Sequence, residues 1–295
     1  MISVVIPSFN RRDCVLRLLK DVYAQQEVDF EVIVVDDSSA DDTVTAVCRE
    51  FPQVTMLVNK SNGGPCVARN RGICAASGEI IIGFDSDVTI SDHRLLVKIR
   101  DAFVESTTAS GFAFRLLMPD GVTDDAPRWW HPVSLEEGKG THFETDYFSG
   151  TGYAFRRHAM IGAGLFPEIL YMHYEEVELA HRIIDNGGSI IYRPEFSVLH
   201  HANEVSRRSE IQVFYKPRNQ ILLVLSYYPI WGGICYLVPR VIFQFVKALK
   251  YGHVKDFCRA MNDALRKSRL LLPVRKPLKR DTLQKIRRLR NRSGV

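Results

Sequence analysis

The alternation of apolar runs with amphipathic stretches constrains this chain more than any other feature. Ile2–Ile6 reads as a strand stopped by Pro7. Val15, Leu18, Leu19 and Val22 fall at i, i+3, i+4 and i+7, one face of a helix. Glu31–Val35 is a second buried strand, ending in Asp36-Asp37-Ser38-Ser39. Asp41 or Asp42 caps a helix that runs to about Glu50. Val54–Val58 is a third strand, followed by a loop over Asn59–Pro65 and a helix from about Cys66 to Ala76. Ile80–Phe84 is a fourth strand, and Leu96, Ile99 and Phe103 mark another helix. This order predicts an α/β fold: a mainly parallel sheet, covered on both faces, that binds its ligand at the carboxyl ends of the strands.

The fourth strand closes on Asp85-Ser86-Asp87. Side chains alternate along an extended chain, so Asp85 and Asp87 point the same way if strand geometry persists. Two hard oxygen ligands at that position suit a divalent cation, Mg²⁺ or Mn²⁺. The plain alternative is an Asp-rich turn after a core strand.

At 295 residues the chain holds one large domain, or one domain with an appendage. The six cysteines are scattered, with no Cys-x-x-Cys, which points to reduced thiols and a cytosolic setting. No leader is expected, because the first strand begins at Ile2 and Arg11-Arg12 follow at once. From Lys247 onward 16 Lys and Arg stand against 3 Asp and Glu, a net +13, so the rest of the chain carries −8 of the overall +5. The basic character belongs to the tail, and so does any anionic partner.

Four stretches now stand in order: Val4-Val5-Ile6-Pro7-Ser8-Phe9-Asn10; Val34-Val35-Asp36-Asp37-Ser38-Ser39; Asn62-Gly63-Gly64-Pro65 with Ala68-Arg69-Asn70-Arg71-Gly72; and Asp85-Ser86-Asp87. Together they resemble the motifs of family 2 glycosyltransferases, rhamnosyltransferase-like members among them. The resemblance implies the GT-A fold, a Rossmann-like sheet that handles nucleoside-diphosphate sugars linked to UDP, dTDP or GDP. It implies a nucleotide-sugar site lined by Pro7, Ser8, Asn10, Asp36, Asp37, Gly63, Gly64, Arg69, Asp85 and Ser86. Asp87 is then the direct metal ligand, with Asp85 beside it. For Asp36 and Asp37 the other reading is an Asx turn and a helix cap. For Arg69 it is a surface salt bridge. No Gly-x-x-x-x-Gly-Lys-Ser/Thr loop is present to cradle phosphates, so a metal is the natural counter-charge for a leaving diphosphate.

Later segments extend the resemblance to about residue 206. Phe148-Ser149-Gly150-Thr151-Gly152 is similar to the acceptor-side segment, with Gly150, Thr151 and Gly152 as acceptor-binding candidates. Glu175-Glu176 heads a helix in the place of the family's Glu-Asp, whose Asp is the catalytic base. Glu176 is the matching residue and Glu175 its rival. A helix N-terminus favours the carboxylate that a base requires. Glu178 is read as an i, i+4 partner of Arg182. His200, or His201, matches a histidine that completes the metal site. Arg207 and Arg208 are candidates to reach the diphosphate. Residues 119–140 read as a long loop in which Trp129 and Trp130 either stack on an acceptor sugar or pack as an anchor.

The expected organisation is a catalytic domain over 1–208, with a nucleotide-sugar part (1–107) and an acceptor part (108–208). A helical, membrane-associating region follows over 209–295, first apolar and then basic. From Ile221 to Val246 the only charge is Arg240. Pro229, Gly232-Gly233 and Pro239 are expected to break this stretch into short pieces, lying in the interface or re-entrant rather than spanning. The other reading is a buried hairpin packed on the catalytic domain. Basic amphipathic faces follow, at Phe257/Met261/Leu265 and at Leu283/Ile286/Leu289, which suits an anionic membrane surface; nothing marks a specific nucleic-acid site. Taken with these features, the resemblance implies an inverting, metal-dependent hexosyltransferase on the cytosolic face of a bacterial inner membrane, acting on a glycan or lipid-linked glycan in surface-polysaccharide assembly. The competing readings are a sugar-1-phosphate nucleotidyltransferase, whose Gly-rich loop is missing after the first strand, and a catalytically decayed scaffold.

Overall fold

A computed structural model describes residues 1–201 and 209–291. Arg207 and Arg208 lie outside the described residues. The core is one sheet in the order β3-β2-β1-β4-β8-β6-β9-β5, with β7 on β9. Its N-terminal half is built as the alternation predicts: β1 (Ile2–Ser8), β2 (Phe30–Asp36), β3 (Thr55–Val58) and β4 (Ile80–Phe84) pair in parallel. Beyond β4 the sheet is mixed. β8 (Gly152–Arg156) runs antiparallel to both β4 and β6 (Gly111–Leu117). β6 is parallel to β9 (Ile190–His200), which also carries β5 (Val88–Thr89) and β7 (Phe143–Thr145) antiparallel.

Pro7 does not stop the first strand. β4 accompanies β1 only as far as Val5, and from Ile6 to Ser8 the strand has β2 alone beside it. Proline lacks an amide donor, which a strand tolerates where one side is unpaired.

Alternate residues of β1 and β2 feed opposite layers. Val4, Ile6, Val32 and Val34 join the core beneath α1 (Arg12–Tyr23), α2 (Thr43–Glu50) and α4 (Leu95–Glu105). Val5, Ile33 and Val35 join the other, beneath α3 (Pro65–Ala75), α6 (Arg157–Ala163) and α7 (Glu175–Asp185). A strand buried on both faces is the geometric reason its sequence is a continuous apolar run.

The apolar stretch in the C-terminal region folds differently from the sequence expectation. It is not cut into short pieces. Its first part belongs to α8 (Ser209–Tyr227), where Leu222, Leu223 and Val224 are buried. The rest forms α9 (Ile230–Lys250), a helix of 21 residues with Gly232, Gly233 and Pro239 inside it. Pro239 and Cys235, the residue one turn before it, are both exposed, so water can serve the carbonyl that proline leaves unpaired. α10 (Val254–Leu271) packs on α8, and α11 (Arg280–Asn291) docks on α7. Arg290 Nε donates to Asp146 at 2.7 Å and Lys285 Nζ pairs with Glu144 at 2.5 Å, while Ile286 and Leu289 are buried. α11 thus turns its apolar face to protein. Between them, α5 (Leu135–Gly138) and a short turn over Ala126–Arg128 give the loop after β6 some local structure.

Candidate active site

The carboxyl ends of β1, β2 and β4 converge on one end of the sheet. β1 ends at Ser8, paired in register with Asp36 of β2. Asp36 accepts from the Ser39 amide at 2.8 Å and its hydroxyl at 2.5 Å, forming a tight turn. Asn10 joins the same turn: its amide donates to Ser39 Oγ and its Oδ1 accepts from Ala40, at 2.8 and 2.7 Å. Asp37 ties down the glycine loop, accepting from the Gly63 and Gly64 amides at 3.0 and 2.7 Å and from Asn59 at 2.7 Å. Gly64 has φ +85°, and a Cβ there would lie 2.4 Å from the Tyr171 ring. Ser8 Oγ is buried and has no partner among the described residues. An orphan hydroxyl beside the end of β1 suits a ligand that brings its own polar groups.

Arg69 is not a surface residue. Only 4% of it is exposed, and it joins two elements. Its Nη2 lies 2.7 Å from Asp85 Oδ1 after β4, and its Nη1 lies 3.5 Å from Glu175 Oε1 at the start of α7. Burial alone would raise the Asp85 pKa, but the Arg69 cation, with help from His200 and Arg128, brings it below the usual carboxylate value. Burial raises Glu175 well above its ordinary value, and Glu176 adds to the rise, with Arg69 opposing. Glu176 is less buried than Glu175, and its Oε1 accepts the Gly150 amide at 3.1 Å. Thr151 Oγ1 donates to Asp85 Oδ2 at 3.2 Å. Gly152 pairs with Phe84 as β8 runs back along β4. Asp85, Arg69, Gly150, Thr151, Glu175 and Glu176 therefore form one contiguous cluster.

Asp87 sits on the other side of Ser86. Its Oδ1 lies 3.7 Å from His200 Nε2, and its Oδ2 lies 3.6 Å from Arg11. Burial, with Asp85 as a near neighbour, raises its pKa, and His200 and Arg11 oppose the rise. His201 faces elsewhere, its Nε2 2.9 Å from Thr89 Oγ1. Sequence reasoning missed Asp125, which is buried and 2.7 Å from His200 Nδ1. A carboxylate only accepts, so Nδ1–H donates to Asp125, and Nε2 is the ring nitrogen on the Asp87 side. A histidine held by a carboxylate through one ring nitrogen, with the other facing a second carboxylate, is the arrangement of a metal-binding histidine with its outer partner. Among the described residues no three His, Cys, Asp or Glu side chains are gathered as a ready-made metal cage. Asp87 and His200 are the residues that would hold a divalent cation, with a carboxylate oxygen and an imidazole nitrogen as its protein ligands.

The tryptophans divide. Trp129 packs edge-on against Tyr192 and Phe143, and its indole N–H donates to the Val133 carbonyl at 2.7 Å. Trp130 lies 5.9 Å from Tyr147 in a stack and 5.4 Å from Tyr174, beside the start of α7. Glu178 pairs with Arg182 as the i, i+4 spacing suggests, with Glu178 buried and Arg182 half-buried.

The turn that delivers Glu175 and Glu176 is strained. Tyr171, His173 and Tyr174 all have positive φ, between 66° and 72°. α8 holds it. Asn219 Nδ2 lies within 3.0 Å of the Leu170 carbonyl and 2.7 Å of those of Met172 and His173. Arg218 Nη2 donates to the Ile169 carbonyl at 2.8 Å.

The model of glycosyl transferase family 2 matches residues 3–162. The putative colanic acid biosynthesis glycosyl transferase WcaA of Escherichia coli K12 is 36% identical over 102 residues, 33% of this chain and 36% of that protein. The succinoglycan biosynthesis protein ExoO of Rhizobium meliloti is 40% identical over 95 residues, 32% of this chain and 27% of that one. These matches span about a third or less of the relatives' own lengths. Among solved structures, the mannosyltransferase PcManGT from Pyrobaculum calidifontis, in complex with GDP-Man and Mn²⁺, aligns with a TM-score of 0.61 at 18% identity, over 92% of this chain and 78% of that one. S. aureus TarS 1-349 in complex with UDP-GlcNAc aligns with a TM-score of 0.60 at 19% identity, over 90% and 80%. These structures show a shared GT-A fold. With more than half of its length matched by the family model, the chain belongs to glycosyl transferase family 2.

Proposed function

We propose that the chain is an inverting hexosyltransferase that moves a sugar from a UDP-, dTDP- or GDP-linked donor to a glycan or lipid-linked glycan, in surface-polysaccharide assembly. The observation that carries this reading is the cluster around Arg69 and Gly150. It joins the carboxyl end of β4, on the donor side, to the N-terminus of α7, on the acceptor side. The names of the matched relatives, in colanic acid and succinoglycan biosynthesis, support the polysaccharide setting.

In this reading the nucleoside lies against Pro7, Ser8 and Asn10, with Asp36, Asp37, Gly63 and Gly64 shaping the pocket. Asp85, with Ser86 beside it, faces the donor sugar and ribose, and Arg69 holds it ionised. Glu176 takes the proton of the acceptor hydroxyl. That oxygen forms a bond to the anomeric carbon as the bond to the diphosphate oxygen breaks, and the nucleoside diphosphate leaves with the electron pair. Glu175, raised by burial, stands beside Glu176 against Arg69. Asp87 and His200 would hold a divalent cation, with Asp85 at its edge. When bound, that cation supplies Lewis-acid charge to the diphosphate. Trp130, with Gly150, Thr151 and Gly152, borders the acceptor, and Trp129 supports that wall from behind. The enzyme works at the cytosolic face of the inner membrane.

The test is release of nucleoside diphosphate from a panel of nucleotide sugars, with Mn²⁺, Mg²⁺ or EDTA. The reading expects slow, metal-dependent release from one donor, lost in Glu176→Gln by about 10²–10⁴-fold if transfer to water uses the same base. Absence of release and of binding for every donor overturns it.

A further inference from the structure

α9 presents three faces along its length. Gly233, Val241 and Ala248 turn toward protein: a Cβ on Gly233 would lie 2.5 Å from Val224 of α8, and Val241 and Ala248 pack with Val213 and Phe257. Arg240, Lys247 and Lys250 follow one edge. Turned away from the packed face lie Val238, Ile242, Val246 and Leu249, at helical spacing and between 50% and 57% exposed. Phe243, between that stripe and the basic edge, is 65% exposed. An apolar stripe of this length on a soluble surface marks a binding face.

We propose that α9 lies in the plane of an anionic lipid bilayer, with this stripe among the acyl chains and Arg240, Lys247 and Lys250 at the phosphate level. The proposal deepens the membrane setting of the reading above and rests on it only for which leaflet is met. Two observations choose the bilayer surface and the in-plane mode. First, cations flank the stripe on one side, and the chain from Lys247 onward carries net +13, which complements anionic headgroups and would repel a second copy of the same surface. Second, α9 is long and apolar enough to cross a membrane, but it is fastened at both ends. Gly233 is packed on α8, and Ala248 with Phe245 is packed on α10, the Phe245–Phe257 rings 5.3 Å apart. Crossing would drag in α8 and α10, which share the Arg218–Asp263 ion pair, 2.5 Å between Nε and Oδ2. Crossing would also set Arg240 at mid-helix in hydrocarbon, at about 2.5–3.5 kcal/mol on insertion scales. Lying flat avoids both.

The experiment is flotation of the full chain with phosphatidylcholine vesicles and with vesicles containing about 30% phosphatidylglycerol, followed by alkaline carbonate extraction. The expected result is binding to the anionic vesicles at least about tenfold tighter than to neutral ones, weakened by salt, and release by carbonate. Ile242→Glu/Val246→Glu should lose vesicle binding, whereas Val104→Glu, on exposed α4 surface, should keep it. Val238→Glu/Leu249→Glu gives a second variant should the first fail to fold. Failure of the unmodified chain to bind either vesicle overturns the proposal, as does resistance to carbonate or a dimer that the α9 variants abolish. Donor hydrolysis by the unmodified chain without lipid reads the active-site proposal separately, so either can fail alone.

Discussion

Asn219 Nδ2 lies 2.7 Å from the carbonyl oxygen of His173, so a residue of the C-terminal helices fastens the turn that carries the proposed base. The side chain is wholly buried and reaches three carbonyls of that turn. Asn219→Ala leaves those oxygens short of donors in a strained segment. The expected loss is about 2–4 kcal/mol of stability, read from the urea midpoint. Donor turnover should fall at least about tenfold under conditions where the variant is still folded, because Glu176 is no longer held.

Gly150 gives a sharper test of the cluster. A Cβ there would lie 2.3 Å from Arg69 Nη2 and 2.9 Å from Glu176 Oε1. Gly150→Ala must therefore displace the guanidinium or the carboxylate. Turnover should drop by about 10²-fold, and the melting temperature should fall with it where the buried Arg69 guanidinium is the group displaced from Asp85 and Glu175. A variant with full turnover would separate Glu176 from the reaction.

Asp125 should act through His200. Asp125→Ala removes the acceptor that holds Nδ1–H, freeing the ring to change tautomer. Nitrogen NMR of the imidazole should report an Nδ1–H form in the unmodified protein and a mixture in the variant. Mn²⁺ affinity should fall by about 10–100-fold, and less in Asp125→Asn, which keeps an oxygen acceptor.

Much of this architecture was legible in the sequence. The first four strands and their helices follow from apolar spacing, and the resemblance placed Asp85, Asp87, Glu176 and His200 at one site. Asp125 stayed hidden because it lies in an irregular loop and its partner is 75 residues away. Arg69 read equally well as a surface charge, since its partners come from two other elements. The stretch from Ile221 to Val246 misled because proline and glycine count as breakers by rule, whereas α9 is open to solvent along the turn where Pro239 sits. The antiparallel strands after β4 carry no local signal, because direction is fixed by pairing.

His131 predicts an acid-sensitive stability. Burial lowers its pKa to about 3, with Asp146 opposing and Arg290 adding to the effect. The folded state keeps the ring neutral while the unfolded chain protonates near 6.5. A depressed folded value means the contribution is complete above pH 6.5 and is lost as pH falls toward 3. Between pH 6.5 and 5 the loss approaches about 2 kcal/mol. His131→Phe, which keeps the packing against Trp129 and Tyr192, should lose less stability over that interval, measured by urea titration at both pH values.

Asp87 and His200 should tie nucleotide binding to a divalent cation. Calorimetric titration of UDP, dTDP and GDP into the protein with Mn²⁺ or EDTA, repeated with Asp87→Ala, tests this. One nucleotide should bind at least about tenfold tighter with Mn²⁺, and Asp87→Ala should abolish the difference. Equal affinity with and without the metal, or a metal effect that survives Asp87→Ala, would contradict it.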